Sequence, residues 1–313
     1  MKFSDDALLE LTQPDGGRFR VASEHEAFAF CRRLALGHYE NFPVGSALIP
    51  AKLRPHFYAV YAFSRVADDI GDELVHLGET IQIDALQRFD DLLENGSTGG
   101  NPVFTALEIT RRTFSISPAP FHRLIEAFRR DVRFRQPDTF ADILEYCSYS
   151  ANPVGEIILY IAGVANKTTI EFSDNICSAL QLTNFWQDIS LDFQRNRMYI
   201  PQELTGKSEY CKDYLHGEEF RRKFLFALPQ LIAETHKLFI NGRKLLQFLP
   251  YKRLKLEIAA TIGGGERILK KTERMGERIL TERPTLTFTD GVAIICNILI
   301  PRRPYDTQRS CRH

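Results

Sequence analysis

The sequence predicts an all-α protein, and three observations predict it. Apolar residues recur with a helical period along most of the chain, no segment alternates polar and apolar residues as a strand would, and the breaks between segments carry helix-capping and helix-ending residues. Ser23 and Glu26 have capping-box spacing and open a helix to about Gly37. Pro55 suits the first turn of a second helix, which contains the segment YAFSRVADDIGDE. Periodic segments follow at about 79–94, closed by Asn95-Gly96, at 102–116, opened by Pro102, and at 120–134. The pattern from Asp138 is helical until Asn152-Pro153, where the residue before proline disfavours the α region and a break is expected. It resumes as VGEIILYIAG. A long helix is predicted over about 168–193, with Pro201 ending the irregular stretch behind it. Helices at 217–248, kinked at Pro229, at 252–281 and near 288–300 complete the chain. One domain over 1–313 is expected, with 1–20 and 302–313 as flexible ends.

Composition narrows the function classes. With 313 residues, 44% hydrophobic and 26% charged, the chain can bury a substantial core. Its 40 basic and 40 acidic residues balance, so no global field attracts nucleic acid, although Arg129, Arg130, Arg133 and Arg135 form a local cluster. Nucleic acid is not an expected partner. Six scattered cysteines without a C-x-x-C pair, and an N-terminus lacking a basic region and an apolar core, point to a reducing, cytoplasmic setting. The apolar run 292–301 is too short to span a bilayer, so any contact with the inner membrane face is expected to be peripheral. The run Gly263, Gly264 and Gly265 lies inside a periodic segment; close helix packing explains it, because GGGE lacks the lysine and serine of a phosphate loop.

Chemistry concentrates in two acidic ladders. Asp68, Asp69 and Asp72 form the first, and Asp188 and Asp192 the second. Spacing of i and i+4 puts each pair on one helix face. A single such pair is ordinary on a solvated helix. Here both sit among apolar neighbours, Val60, Phe63, Val66 and Ile70 around one, Leu182, Phe185, Trp186, Ile189 and Leu191 around the other. Carboxylates in such company must be paired, protonated or metal-bound. Hard oxygen ligands suit Mg2+, which shares itself between one or two carboxylates, water and substrate phosphates. Asn184 extends the second stripe by a turn as a neutral oxygen ligand. Arg65 shares the first face; its fork can serve a phosphate or pair with Asp68 or Asp69. Arg195 and Arg197 follow the second ladder, placed to close over a diphosphate or simply to lie on the surface.

With these motifs the chain resembles the squalene and phytoene synthase family of head-to-head prenyl synthases, from about Ala27 to near the C-terminus. HYENFPVGS at 38–46, YCSYSANPVG at 146–155 and QLTNFWQD at 181–188 are most similar to its hopanoid-pathway hydroxysqualene synthase branch. The resemblance implies an isoprenoid-synthase fold, one helical domain around a central apolar cavity with the two aspartate motifs facing each other across its mouth. It implies two or three Mg2+ ions on Asp68, Asp72, Asp188 and Asp192, with Asn184 assisting, and diphosphate contacts from His38, Arg65 and Arg197. Tyr61, Tyr146 and Gln181 match reaction-centre residues, and Phe42 and Val154 match the prenyl-binding wall. Gln187 departs from the pattern: the squalene and carotenoid branches usually carry arginine there. Losing that charge favours an enzyme that handles one diphosphate.

The expected reaction is therefore conversion of presqualene diphosphate and water to hydroxysqualene and pyrophosphate, with aromatic walls shielding the cation. Functional coupling to a presqualene diphosphate synthase follows from that substrate. No NAD(P)H is expected, since no strand-linked G-x-G-x-x-G is present. One alternative is head-to-head condensation of two farnesyl or geranylgeranyl diphosphates, giving presqualene diphosphate, squalene or phytoene. The other is a non-catalytic, synthase-like lipid-binding or assembly factor.

Overall fold

Two long helices organise the molecule, and each carries one acidic ladder. The computed structural model describes residues 3–37, 48–95, 99–211 and 213–299, which form fourteen α-helices and no strand. The first hub is α3 (Arg54–Glu73). Around it pack α1 (Asp5–Leu11), α2 (Glu24–Gly37), α4 (Glu79–Asn95), α5 (Pro102–Phe114) and α6 (Ala119–Val132). The second hub is α9 (Lys167–Gln187), surrounded by α7 (Phe140–Ser150), α8 (Asn152–Ala162), α12 (Glu218–Gly242) and α13 (Lys252–Met275). Contacts of α6 with α3, α7 and α8 join the halves. Short helices α10 (Ile189–Gln194) and α11 (Gln202–Thr205) follow α9, and α14 (Phe288–Leu299) lies on α13.

Both hubs are buried for reasons written in their sequences. On α3 the residues Phe57, Ala59, Ala62, Phe63, Val66, Ala67 and Ile70 are buried, and Phe63 stacks on Phe89 with centroids 5.2 Å apart. At α9 the Asn166 side chain accepts from the Thr168 and Thr169 N–H groups, while Thr169 Oγ1 accepts from the Asn166 N–H, a reciprocal cap. Trp186, fully buried, donates from Nε1 to Thr235 Oγ1 at 2.9 Å and ties α9 to α12.

Glycines let α9 approach its neighbours closely. A Cβ on Gly242 would lie 2.9 Å from the Ile176 backbone nitrogen, and one on Gly265 would lie 2.7 Å from both Leu180 Cδ2 and Phe239 Cζ. Gly263 faces Ile294 of α14. The glycine run is thus a packing device in a continuous helix.

Several expectations need correction. Residues 3–20 are not a loose extension. Asp5 and Asp6 occupy the first turn of α1, where the helix dipole favours them, and Leu8 and Leu11 are fully buried, each contributing about 1.5–3 kcal/mol. The helix expected over 168–193 ends at Gln187 and restarts at Ile189. The break at Asn152-Pro153 falls one residue earlier, at Ala151. The helix expected over 217–248 ends at Gly242, with Pro229 inside it. Leu191, read as core, is 43% exposed. The 302–313 tail lies outside the described residues.

The terminal helix both packs and faces outward. Asp290, 2% exposed, pairs with Arg267 at 2.6 Å and with Lys271, and accepts from the Thr287 N–H at the start of α14. On the other face Phe288, Val292 and Ile295 are exposed. No helix among the described residues is long and apolar enough to cross a membrane.

Candidate active site

The first ladder splits into a structural member and two outward members. Asp69, 3% exposed, is held by Arg65 at 2.6 Å, and Arg65 also lies 3.4 Å from Asp68. An arginine on the same helix neutralises the buried charge, as the i, i+4 spacing allows. Asp68 and Asp72 keep side chains about 40% and 39% accessible.

The second ladder survives the helix break. Asp188 is the joint between α9 and α10, but its N–H donates to the Asn184 carbonyl, and the Asp192 N–H donates to the Asp188 carbonyl, both at 2.9 Å. One-turn spacing is therefore kept. Burial, with the Asp188 charge nearby, pushes the Asp192 carboxyl up to about 7 against the opposing pull of Arg197 and Arg195. Arg283 lies across Asp188, with Nη2 donating to Oδ2 at 3.1 Å.

Arg197 and Asp131 bring the ladders together. Arg197 Nη2 donates to Asp72 Oδ1 at 3.1 Å, so the strand of chain just past Asp192 is fastened to the first ladder. Burial works against the Arg197 charge, but Tyr199, Asp131 and Asp72 around it hold its pKa above the ordinary value. Asp131, near the end of α6, accepts from Tyr146 Oη at 2.8 and 2.9 Å. Burial pushes Asp131 up to about 6, opposed by Arg197 and the Tyr146 hydrogen bond and reinforced by Asp72. Asp131 also acts on Asp192. Acids from α3, α6 and α10 thus share one field. Tyr146 and Tyr199 lie half-buried beside them, their phenols raised well above the usual range by desolvation, and Tyr199 stacks on Phe185 at 3.7 Å.

Behind the second ladder lies an apolar chamber of about 750 Å3 between α8, α9, α13 and α14, within the range of small-molecule sites. Gln181, Asn184, Gln187, Val154 and Arg283 line it with aliphatic residues such as Ile158, Leu180, Ile258 and Ile268. None of its described lining residues is aromatic, so the expected aromatic wall is aliphatic here. Rings collect instead at Tyr146, Phe185 and Tyr199, next to a smaller cavity of about 330 Å3.

The remaining predicted residues divide. Gln187 is buried and donates to the Pro284 carbonyl at 2.6 Å, which fixes the segment bearing Arg283. Tyr61 packs half-buried against the core, apart from the chamber's described lining. Arg195 is exposed. His38 and Phe42 lie outside the described residues. The cluster at 129–133 is engaged in ion pairs: Arg129 with Asp90, Arg130 with Glu145 and Arg133 with Glu79, at 2.8, 3.1 and 2.7 Å. Asp131, Tyr199 and Arg283 went unnoticed in the sequence. Only the YIP that follows Arg197 and the isolated ERP near 283 hinted at ordered chain, and neither has a spacing that points to the ladders.

No group of three or more His, Cys, Asp and Glu side chains able to hold a metal is gathered among the described residues. The donor set nonetheless fits Mg2+, because that ion takes few carboxylates and completes its shell with water and phosphate. Burial first, and then the Asp188 charge, raise Asp192, and a divalent cation beside it would favour its charged form.

The model of the squalene/phytoene synthase family matches residues 36–290. Hydroxysqualene synthase from Sinorhizobium fredii is 31% identical over 269 residues, covering 84% of this chain and 90% of its own. The enzyme of that name from Zymomonas mobilis is 34% identical over 255 residues, covering 78% and 83%. The crystal structure of squalene synthase HpnC from Alicyclobacillus acidocaldarius superposes with a TM-score of 0.71 at 37% identity, covering 81% of this chain and 95% of that one. A dehydrosqualene synthase, at 21% identity and a TM-score of 0.75, shares the fold. Helical hubs, paired acids and these matches agree, and the chain belongs to the squalene/phytoene synthase family.

Proposed function

We propose that the chain converts presqualene diphosphate and water to hydroxysqualene and pyrophosphate in an Mg2+-dependent reaction. One observation carries this reading: Arg197, just past the second ladder, pairs with Asp72 of the first, more than a hundred residues away, and an apolar chamber lies behind the second ladder. The names of the relatives support the product.

Asp68, Asp72, Asp188 and Asp192, with Asn184, would hold the metal. When bound, Mg2+ supplies Lewis-acid stabilisation to the departing pyrophosphate. Arginines pair with the acids: Arg65 with Asp68, Arg197 with Asp72 and Arg283 with Asp188. Substrate exchanges these partners. Diphosphate oxygens would draw the guanidinium forks, which bind phosphate in a bidentate manner, and would leave Asp68, Asp72 and Asp188 available as metal ligands. Preorganised positive charge where the leaving group gains negative charge is the largest expected catalytic term. Gln181 and Val154 on the chamber wall orient the prenyl chain, and the aliphatic lining excludes water until capture. The C–O bond to diphosphate breaks with its electron pair on pyrophosphate; the cyclopropylcarbinyl cation rearranges, a cyclopropane C–C bond breaking to give an open-chain allylic cation, and water adds to that cation and gives up a proton to solvent. No nicotinamide takes part in this scheme. Delivery of a lipidic substrate is consistent with coupling to a presqualene diphosphate synthase, and the exposed Phe288, Val292 and Ile295 offer a face for peripheral membrane contact.

Incubating the purified chain and Mg2+ with presqualene diphosphate should release hydroxysqualene, identified by mass spectrometry. Absence of that alcohol rejects the product assignment. A second reading, condensation of two prenyl diphosphates, draws on phytoene synthase relatives such as that of Mycobacterium tuberculosis, 31% identical over 52% of this chain. Phytoene or presqualene diphosphate formed from geranylgeranyl or farnesyl diphosphate alone would favour it.

A further inference from the structure

The joint between α7 and α8 leaves a hydroxyl unsatisfied in the chamber wall. Ser150 is the last residue of α7, just before the break at Ala151, and it lines the chamber with Val154, Gly155 and Ile158 of α8. Its Oγ is buried and has no hydrogen-bond partner among the described residues. Other hydroxyls of the lining have engaged protons: Thr183 donates to the Ala179 carbonyl and Thr261 to the Glu257 carbonyl. A buried hydroxyl without a partner is unfavourable and uncommon. A water entering from the chamber would satisfy it.

Two contacts fix the part of α9 that Ser150 faces. Four residues before it, the Tyr146 ring lies 5.9 Å from that of Phe185. Two residues after it, Asn152 Oδ1 accepts from Ser178 Oγ at 2.9 Å. The joint therefore runs antiparallel to α9, and Ser150 falls between Phe185 and Ser178, level with Gln181, which lines the same chamber. Ser150 also shares a face of α7 with Tyr146, about 6 Å further along the axis. Tyr146 donates to Asp131 in the acid field, and Ser150 is the one α7 residue among the described lining of the chamber. It thus marks the end of the chamber beside the ladders, where the C–O bond breaks. A water there can donate to Ser150 Oγ and to the Gln181 amide oxygen and keep a lone pair for carbon.

We propose that Ser150, with Gln181 level with it, positions the water that captures the allylic cation and so decides between alcohol and hydrocarbon. This rests on the hydroxysqualene reading above. When the positioned water attacks, a C–O bond forms and the oxonium loses its proton to solvent, giving the alcohol. Without that water the same cation loses a proton from the carbon next to the charge, which forms a further C=C bond and a hydrocarbon. Ser150 is a positioning residue; no bond to it forms or breaks.

The test gives the full chain presqualene diphosphate and Mg2+ and measures alcohol and hydrocarbon by mass spectrometry. Wild type should yield mostly alcohol. Ser150→Ala should lower the ratio of alcohol to hydrocarbon on the order of tenfold, as the loss of one well-placed hydrogen bond allows. Ser150→Cys, close to serine in shape but a weak acceptor, should lower it too, and it carries the test if the alanine variant does not fold. Ser150→Thr keeps the hydroxyl and should hold the ratio near wild type. An unchanged ratio in the folded alanine or cysteine variant, or a threonine variant that falls as far as alanine, overturns the role of Ser150 and leaves the function standing. A wild-type chain that forms no alcohol overturns the function and this role with it.

Discussion

At the scale of single residues, the two ladders hold acids of different kinds. Asp69 is buried against Arg65, whereas Asp68 and Asp72 stay accessible and Asp188 is partly so. Asp68→Ala and Asp188→Ala are each expected to lower kcat by at least about 10²–10³-fold, with the melting temperature nearly unchanged; pyrophosphate-release assays and thermal denaturation check both. Asp131 makes a second prediction. Its folded pKa is raised by burial from about 4 to about 6, so the folded chain binds this proton more tightly than the unfolded chain. Its contribution to stability is complete below about pH 4 and is lost as pH rises through about 6. The melting temperature of the metal-free wild type minus that of Asp131→Asn should therefore fall between pH 4.5 and 7.5. A flat difference means the carboxyl is not penalised by burial. The ladders themselves were legible because i, i+4 spacing is a local property. Asp131 was not, since a lone acid in RRDVRF has no pattern and gains meaning only through Tyr146 and Arg197.

At the scale of helices, close approach and anchoring decide the geometry of the chamber. Gly265→Ala places a Cβ 2.7 Å from Leu180 Cδ2 and Phe239 Cζ, both packed between α9, α12 and α13. Overpacking of that kind costs about 1–3 kcal/mol, a loss that equilibrium urea unfolding resolves. Asp290 pins α14 to Arg267 and Lys271 and caps its first turn. Asp290→Ala should release α14 and raise the rate of limited proteolysis near 288–299 severalfold, while hydrogen exchange in α9 stays slow. Most helices were legible from capping residues and prolines. The break at Asp188 was not, because NFWQDISLDF keeps apolar periodicity through the joint and the i to i+4 hydrogen bonds persist across it. Helix α1 was missed for the opposite reason: seven residues give too short a period, and its stability comes from burying Leu8 and Leu11.

At the scale of the whole molecule, α3 and α9 each form the centre of a layer of helices, and α6 with the segment after α10 draws their ladders into one field. Family resemblance anticipated that meeting; spacing alone could not, because nothing local fixes the relative placement of helices separated by more than a hundred residues. Aromatic content likewise suggested a ring-lined cavity, but Phe and Tyr count says nothing about which helix faces enclose space, and the chamber wall proved aliphatic. The central claim is that both ladders grip the same metal-bound diphosphate. Anomalous diffraction from crystals grown with Mn2+ and pyrophosphate tests it most directly: peaks bridging the diphosphate to Asp68 or Asp72 on one side and Asp188 or Asp192 on the other are the expected result. Metal confined to one ladder, or the arginine pairs left intact with no metal between them, would contradict it.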